Sequence, residues 1–428
     1  MDPISERLRA RHPQRIDLSL DRMRALCAAL GDPQDRLPPV VHVAGTNGKG
    51  STVSLIRAIA EAAGLRVHAY TSPHLVRFNE RIRLAGSLIS DDHLNDVLDR
   101  IETAMAETGG EATVFESTTA AAFLVMSETP ADLAVIEVGL GGSLDATNVI
   151  DRPLLSVITP VDLDHAEFLG DRIEGVAAEK AGILKAGARG VIARQSEAVM
   201  AVIERRAAEV HSPLTVMGVD FDAWAERGGL VYQDQERFLD LPAPALSGPH
   251  QFDNAGLAVA AALELDLPEA AIAAGLKAVR WPARMQRLTN GPYAEKVQAA
   301  DAELWLDGGH NPHAGRALAR SLAERQARAP RPTALIVGML ANKDAGGFFE
   351  ALKGVDLQVF TVAFDGAAAD PAALAAVAQG RGFGAMPTAS VNEALDRALA
   401  LGAGRIVICG SLYLAGEVLG ASPETWPV

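Results

Sequence analysis

A glycine-rich turn with a single lysine is the stretch of the sequence most able to do chemistry. It reads GTNGKGS over residues 45–51, and it lies between the apolar run VVHVA and a segment with helical apolar spacing. A strand-to-helix turn aims backbone N–H groups and the positive end of the helix at one point, which suits phosphate. Lys49 could reach outer phosphates, and the hydroxyl of Ser51 or Thr52 would lie near Mg²⁺. An ordinary glycine-rich turn is the alternative. The residues of the predicted phosphate loop are Gly45, Thr46, Asn47, Gly48, Lys49, Gly50 and Ser51.

Polar side chains also follow three other predicted strands. Because the carboxyl ends of parallel strands meet at one edge of a sheet, these groups could gather beside the phosphate loop. Oxygen ligands with one imidazole suit Mg²⁺ or Mn²⁺, which proteins hold with few side chains. A carboxylate at a strand end can equally cap the next helix, so the residues alone leave both interpretations open. The residues are Ser72 and His74, Glu137 and Asp145, and Asp162, Asp164 and His165.

Composition narrows the class of protein. The chain has 428 residues, enough for two or three domains, and 49% of them are hydrophobic. A net charge of −15 argues against nucleic acid as a partner. Two widely separated cysteines provide neither a disulfide framework nor a thiolate metal site. The charged amino terminus and the absence of long apolar runs predict a cytoplasmic protein with no membrane partner.

The elements that must position these residues follow an α/β order. Short apolar runs alternate with helical patterns up to residue 220, which predicts a doubly wound, mostly parallel sheet. Residues 218–250 are expected to form short strands and turns. The stretch WPARMQRLTNGPYAEKVQAADAEL shows neither the helical nor the strand period of apolar residues, and a second series of strands and helices follows it. We therefore expect two domains, residues 1–287 and a smaller α/β domain of residues 288–428.

The combined motifs resemble those of the folylpolyglutamate synthase and dihydrofolate synthase family, of the bifunctional bacterial type, within the Mur ligase superfamily. The resemblance runs from about residue 35 to the end of the chain. It implies a P-loop-containing ATP-binding domain followed by a Rossmann-like glutamate-ligase domain. The matching segments, in chain order, are HVAGTNGKGST, YTSPHLVRFNERI, VIEVGLGG, LDATN, DHAEFLG, AAEKAGILK, GPHQFDNA, WPARMQ and LDGGHNPH.

The resemblance also implies roles for individual residues. Lys180 in AAEKAGILK matches a lysine that is carbamylated in related enzymes, where it supports a second metal ion; a surface lysine on an alanine-rich helix is the alternative. His310, with Asn311 beside it, is expected to place glutamate or the terminal phosphate. The implied ligands of two Mg²⁺ ions are Ser72, Glu137, His165 and carbamylated Lys180. The implied ATP contacts beyond the phosphate loop are Asn254, Arg284 and Asp307. The implied pterin pocket comprises Thr113, Val114, Phe115, Glu116, Leu144, Asp145 and Ala146, for which core packing of Phe115 and a turn at Asp145 are the alternatives.

The implied reaction is ATP-dependent addition of L-glutamate to dihydropteroate and to reduced folates through an acyl phosphate. We expect a monomer whose catalysis needs both domains, since Lys49 and Asp307 lie in different halves of the chain. A single-activity folylpolyglutamate synthase is one alternative, and another amide ligase of the Mur type is a second. A regulatory ATPase that uses the phosphate loop as a switch is the alternative from a different class.

Overall fold

The computed structural model describes residues 2–11, 19–164 and 166–427. By its internal contacts the chain divides into two compact units. The first unit comprises Met1–Ala245 and Gln251–Arg280, and the second comprises Leu246–His250 and Trp281–Val428. The division at residue 287 expected from the sequence remains a proposal about domains. In the structure, that residue lies in a strand of the second unit.

The first unit is built around a large, mostly parallel sheet. Its strand order is β4-β3-β2-β5-β1-β6-β7-β8, in which β3 and β4 are the antiparallel members. The strands are β1 (Val40–Ala44), β2 (Val67–Tyr70), β3 (Ile82–Leu84), β4 (Ser87–Leu88), β5 (Leu133–Glu137), β6 (Leu155–Ile158), β7 (Arg189–Ile192) and β8 (Leu214–Val216). The helices are α1 (Pro3–Arg11), α2 (Asp21–Ala29), α3 (Lys49–Ala62), α4 (Asp91–Thr108), α5 (Val114–Glu128), α6 (Ala166–Leu169), α7 (Ile173–Ala181), α8 (Glu197–Val210), α9 (His250–Glu264, whose first residue belongs to the second unit) and α10 (Glu269–Ala278).

Burial on both faces explains why the central strands are mostly apolar and do not alternate between apolar and polar residues. Every residue of β1, β2, β5 and β6 is buried, as expected where helices cover a parallel sheet. Strand β1 lies between β5 and β6, so the loops after these three strands leave the sheet side by side. Helix α3 begins at Lys49, within the glycine-rich turn. The predicted α/β class is confirmed.

Short antiparallel strands follow the large sheet, as the sequence predicted for residues 218–250. They pair in the order β11-β10-β9, with bounds β9 (Phe221–Glu226), β10 (Gly229–Asp234) and β11 (Phe238–Pro242).

The second unit contains a sheet of order β12-β13-β17-β14-β15-β16, parallel except for the edge strand β12. Its strands are β12 (Gln286–Leu288), β13 (Glu303–Leu306), β14 (Thr333–Val337), β15 (Gln358–Thr361), β16 (Gly384–Pro387) and β17 (Arg405–Cys409). Its helices are α11 (Pro292–Gln298), α12 (Pro312–Arg328), α13 (Ala345–Ala351), α14 (Pro371–Gly380), α15 (Val391–Ala400) and α16 (Leu412–Gly420).

Residues 281–304, whose sequence shows no regular apolar period, contain strand β12 and helix α11. Strand β12 is too short to show a period, and it forms by antiparallel pairing with β13. Helix α11 has Pro292 in its first turn, where proline costs no hydrogen bond. No helix among the described residues combines the length and the apolar character that a bilayer crossing requires.

Candidate active site

The phosphate loop connects β1 to α3, as the sequence predicted, and two of its glycines are required by crowding. Gly45 has φ +145° and Gly48 has φ +89°, values that L side chains rarely adopt. A Cβ on Gly45 would collide with the hydroxyl of Thr159, and a Cβ on Gly48 would lie 2.5 Å from Asn254 Oδ1. The structure therefore brings Asn254, expected to contact ATP, to the phosphate loop within the first unit.

The first turn of α3 carries the polar groups of the loop. Lys49 Nζ donates to the carbonyl oxygens of Gly45 at 3.1 Å and Thr46 at 3.3 Å, so the ammonium lies over its own loop. Ser51 is buried and accepts a long bond of 3.4 Å from Gln251 Nε2. Thr52 is fully buried, and its hydroxyl has no hydrogen-bond partner among the described residues. A buried hydroxyl of this kind is suited to an oxygen-seeking ligand.

The loop after β6 holds the phosphate loop in place. The backbone N–H of Thr46 donates to Pro160 O at 3.0 Å, and its hydroxyl donates to Asp162 O at 2.8 Å. The Asp162 N–H in turn lies 3.0 Å from the same hydroxyl. These bonds use the backbone of Asp162, so its part in the site is at least to anchor Thr46.

The two predicted metal ligands that the structure describes, Ser72 and Glu137, lie at the same edge of the sheet as the phosphate loop. Glu137 ends β5 opposite Val43 of β1 and is only 4% exposed. Ser72 comes two residues after the end of β2, which runs parallel to β5. His165 lies outside the described residues. Among the residues that are described, no three His, Cys, Asp or Glu side chains form a metal-binding group. His74 instead accepts a hydrogen bond from Arg81 Nε at 2.9 Å.

Lys180 lies in the last turn of α7 and is only 4% exposed, which excludes the surface lysine considered above. Burial lowers its pKa to about 7, and the charge of Lys49 acts in the same direction. The carboxylates of Asp164, Asp145 and Glu179 oppose that shift. The structure thus places Lys180 within the electrostatic reach of the phosphate loop.

The first segment of the predicted pterin pocket forms the start of α5. The Thr113 hydroxyl caps the helix by accepting from the Glu116 N–H at 3.2 Å, and the Glu116 carboxylate accepts from the Thr113 N–H at 2.7 Å. Glu116 also pairs with Arg22 at 2.9 Å. Val114 and Phe115 are half-buried, and the Phe115 ring centroid is 6.3 Å from that of Tyr70. The capping of α5 is therefore a local structural role for Thr113 and Glu116.

The second segment meets the first at a glycine turn. Asp145 is buried, and its carboxylate accepts from the Leu140 N–H at 2.8 Å and the Thr147 N–H at 2.9 Å. Its neighbours differ in burial, since Leu144 is 40% exposed and Ala146 is buried. A Cβ on Gly139 would collide with the Phe115 ring. Both predicted pterin segments therefore border the glycine turn of residues 139–142, and the turn at Asp145 is real.

A buried chain of hydrogen bonds lies beneath Asp145. The Thr147 hydroxyl donates to Asp145 Oδ1 at 2.5 Å, so it must accept from His42 Nε2, which is 2.9 Å away. His42 Nδ1 is then unprotonated, and it has no hydrogen-bond partner among the described residues. Burial lowers the pKa of His42 to about 3, and the charge of Lys185 adds to this. Burial raises the pKa of Asp145, against the hydrogen bonds that it accepts.

This histidine should make the fold sensitive to acid. The folded pKa of about 3 lies below the unfolded value of 6.5, so only the unfolded chain takes up this proton between those values. The stabilisation is present above pH 6.5 and is lost progressively as the pH falls towards 3. At pH 5 the loss from His42 should be about 2 kcal/mol. Urea unfolding at pH 7.5 and 5.0 should show that His42→Gln, which keeps the bond to Thr147, removes that part of the pH dependence. An unchanged dependence would contradict this role.

The second unit gathers the remaining predicted residues around β13. Asp307 accepts from the Met285 N–H and the Gly309 N–H, both at 2.8 Å. A Cβ on Gly308 would lie 2.7 Å from Arg284 Nη1, so the guanidinium lies beside the same turn. His310 Nδ1 donates to Gly308 O at 3.0 Å. Asn311 caps α12 by accepting from Ala314 N–H at 2.9 Å.

Two polar residues that lie near predicted site residues, Arg22 and His250, were not singled out from the sequence. Arg22 pairs with Glu116 across 94 positions, and no local pattern signals such a pair. Desolvation lowers the pKa of His250 to about 4, while Asp307 raises it and Arg284 lowers it. His250 is therefore close to both predicted nucleotide contacts of the second unit. Its position in the segment GPHQFDNA, four residues before Asn254, was the available signal.

Two Mur ligase family models match most of the chain. The Mur ligase middle domain matches residues 43–262, and the Mur ligase glutamate ligase domain matches residues 292–412. The dihydrofolate synthase/folylpolyglutamate synthase of Mycobacterium tuberculosis is 36% identical over 90% of this chain and 83% of its own length.

Solved structures are similar over almost the whole chain. E. coli FolC in complex with DHPP and ADP has a TM-score of 0.85 at 30% identity, covering 96% of this chain and 95% of that one. The bifunctional folylpolyglutamate synthase/dihydrofolate synthase of Yersinia pestis, complexed with AMPPNP and Mn ion, has a TM-score of 0.85 at 31% identity, covering 98% and 97%. The phosphate loop and a buried carboxylate lie at one sheet edge, and a buried lysine lies in α7; together with the matches above, they show that the chain belongs to the dihydrofolate synthase/folylpolyglutamate synthase family of Mur ligases.

Proposed function

We propose that this chain is an ATP-dependent ligase that joins L-glutamate to dihydropteroate and to the γ-carboxylate of reduced folates. The observation that carries the proposal is the meeting of a lysine-bearing phosphate loop with Glu137 at one edge of the sheet, within reach of Lys180. Relatives of this family that hold ADP with DHPP, or AMPPNP with Mn ion, support the same substrates here. The enzyme would work in the cytoplasm, where ATP and reduced folates occur.

The placement of the residues supports the proposed ATP contacts. Backbone N–H groups of residues 45–51 cradle the phosphates, and Lys49 turns from its loop carbonyls to the outer phosphates. Asn254, beside Gly48, contacts the nucleotide from α9. In the second unit, Arg284 and Asp307 contribute to nucleotide binding, and His310 helps to place glutamate or the terminal phosphate.

The residues at the sheet edge fit a divalent cation. Glu137 offers a buried carboxylate, Ser72 a hydroxyl, and Thr52 a buried hydroxyl without a partner among the described residues. Oxygen donors of this kind are the ligands that Mg²⁺ prefers. We assign Ser72, Glu137 and His165 to a first ion and carbamylated Lys180 to a second. When bound, the ions would neutralise charge on the phosphates.

The chain's own part in the reaction is positioning and charge stabilisation. A carboxylate oxygen of the acceptor attacks the γ-phosphorus of ATP, the bond to the β-phosphate oxygen breaks, and an acyl phosphate and ADP result. Lys49 stabilises the charge on the transferring phosphoryl group. The glutamate amine then attacks the acyl carbon, phosphate leaves, and the amine loses a proton as the amide forms. The acceptor's pterin lies against Phe115 and the segment of residues 144–146, whose backbone is held by Asp145.

Carbamylation of Lys180 fits its surroundings. A buried ammonium is costly, whereas the lowered pKa of this amine leaves much of it neutral near pH 7. The neutral Nζ can attack the carbon of CO₂, forming an N–C bond and releasing one proton. The resulting carbamate is a carboxylate-like oxygen donor that an ammonium cannot imitate.

A product assay tests the proposed function directly. The enzyme is given ATP, Mg²⁺ and L-glutamate with either dihydropteroate or tetrahydrofolate, and the products are identified by mass. Dihydrofolate in one reaction and a γ-glutamyl-extended folate in the other are expected. Product from tetrahydrofolate alone would indicate a single-activity synthase, and glutamate-independent ATP hydrolysis without amide product would indicate a regulatory ATPase.

Glu137→Gln should weaken metal binding while leaving the fold intact. The substitution keeps the shape of the buried side chain but removes its charge, so the Mg²⁺ concentration for half-maximal ligation should rise by about tenfold or more. Binding of Mn²⁺ with AMPPNP, followed by electron paramagnetic resonance, should weaken in parallel. Glu61→Gln, on the partly exposed face of α3, is the matched control. Unchanged Mn²⁺ binding would remove Glu137 from the ligand set.

A further inference from the structure

A cavity of about 400 Å³ lies in the first unit, apart from the residues assigned above to ATP, metal and acceptor. Its walls come from α2, from both ends of the 143–148 loop, from α7 and the residues that follow it, and from α8. The polar side chains that line it belong to Arg24, Ser143, Asn148, Lys185 and Arg206. We call it the basic cavity.

Three cations meet in the basic cavity, although the whole chain carries a net charge of −15. Arg24 makes no ion pair with a described carboxylate, and Lys185 Nζ reaches only the Asn148 carbonyl, at 3.5 Å. Arg206 has Glu209 at 3.5 Å, on the same helix. Burial lowers the pKa of Lys185, Asp151 opposes this, and the charges of Arg206 and Arg24 lower it further. Like charges held together in this way favour an anion among them.

Two buried polar atoms of the lining lack partners among the described residues. They are Arg206 Nε, a donor, and Asn148 Oδ1, an acceptor. Asn148 is only 4% exposed, and its amide nitrogen is already used, at 2.9 Å from Ser143 O and 3.3 Å from Gly182 O. Unpaired buried groups are uncommon in proteins. An anion that keeps one proton, or carries a hydroxyl, would satisfy both atoms.

We propose that the basic cavity binds a small polyanion with at least two charges on phosphate or carboxylate oxygens, and that this binding tunes the affinity for the acceptor. Arginine forks and a lysine are the groups that recognise such oxygens. The coupling half of the proposal rests on the proposed function. It follows from the 143–148 loop, which gives Ser143 and Asn148 to the basic cavity and Leu144, Asp145 and Ala146 to the acceptor side. A ligand that binds one face of a short loop changes the populations of the loop's conformations, and so changes what the opposite face presents to the acceptor.

Binding is tested without reference to activity. The full-length protein, with ADP saturating the phosphate loop and no added divalent metal, is titrated calorimetrically with pyrophosphate and with tri-γ-glutamate. One molecule of at least one probe should bind; pyrophosphate indicates a phosphate ligand and the peptide a polycarboxylate. Arg206→Gln and Lys185→Gln should each weaken binding by about tenfold or more. Arg205→Gln, the exposed neighbour on α8, should leave it unchanged.

Two results would overturn the site. One is the absence of binding by either probe at about 5 mM, and the other is binding that Arg206→Gln and Lys185→Gln leave intact. The coupling is tested by the KM for dihydropteroate, which the effective probe should change in the wild type but not in Arg206→Gln. Strictly competitive inhibition that persists in Arg206→Gln would place the anion in the acceptor pocket and overturn the coupling. A protein with no ligase activity would defeat the proposed function while the calorimetry still decides the site.

Discussion

Replacing Lys49 by alanine is expected to abolish ligation with either acceptor, by about a thousandfold or more. The ammonium is the cation that the phosphate loop itself offers to the transferring phosphoryl group, and the loss of one such preorganised group in an enclosed site is costly. The fold should survive, because Lys49 Nζ donates to the carbonyl oxygens of Gly45 and Thr46 in its own loop and to no other described group. The measurement is amide product formed with dihydropteroate and with tetrahydrofolate at saturating ATP.

The matched control for this variant is Lys277→Ala, which removes an exposed lysine from α10 of the same unit. Its activity and melting temperature should equal those of the wild type. Lys49→Ala should keep a wild-type melting temperature and circular dichroism spectrum. A well-folded Lys49→Ala protein with near-normal turnover would show that the loop does not serve the γ-phosphate.

Lys180→Ala should lose at least about a hundredfold in activity and regain part of it with added formate or acetate. The substitution removes the carbamate and leaves space that a small carboxylate can enter, since Lys180 is buried in the last turn of α7. Rescue should saturate with the carboxylate concentration and should not occur with a neutral amide of similar size. Activity across a concentration series of each additive is the measurement.

Lys180→Met is the control that distinguishes loss of the carbamate from the creation of space for an added carboxylate. Methionine fills most of the volume of the lysine stem, so this variant should be as inactive as the alanine variant yet should not be rescued. A crystal structure of active enzyme with substrates bound should show a planar group beyond Nζ. An unmodified ammonium there, or a fully active Lys180→Met protein, would show that no carbamate is needed.

The parts of the site that the sequence predicted are those encoded locally. The phosphate loop depends on a strand, a turn and a helix that follow one another within residues 40–62, and glycine spacing identifies the turn. Glu137 could be selected because it ends an apolar run, and parallel strands share a carboxyl edge.

Contacts between distant segments could not be predicted in this way. Thr46 is fixed by Pro160 and Asp162, which come beside it only because β6 pairs with β1. Strand β12 has three residues, too few for a period, and exists through its pairing with β13. The burial of Lys180, which distinguishes a ligand-bearing lysine from a surface one, follows from how α7 packs and not from its composition.

The glycine turn of residues 139–142 has a genetic consequence. Apart from synonymous and nonsense changes, every single-nucleotide change in a glycine codon introduces a residue with a Cβ. At Gly139 that atom meets the Phe115 ring, and at Gly142 it meets the backbone carbonyl of Glu179. Missense mutations at both positions should therefore be selected against, and changes in acceptor specificity should arise at other residues. Leu144, 40% exposed on the adjoining loop, belongs to the proposed acceptor pocket and has no such steric restriction.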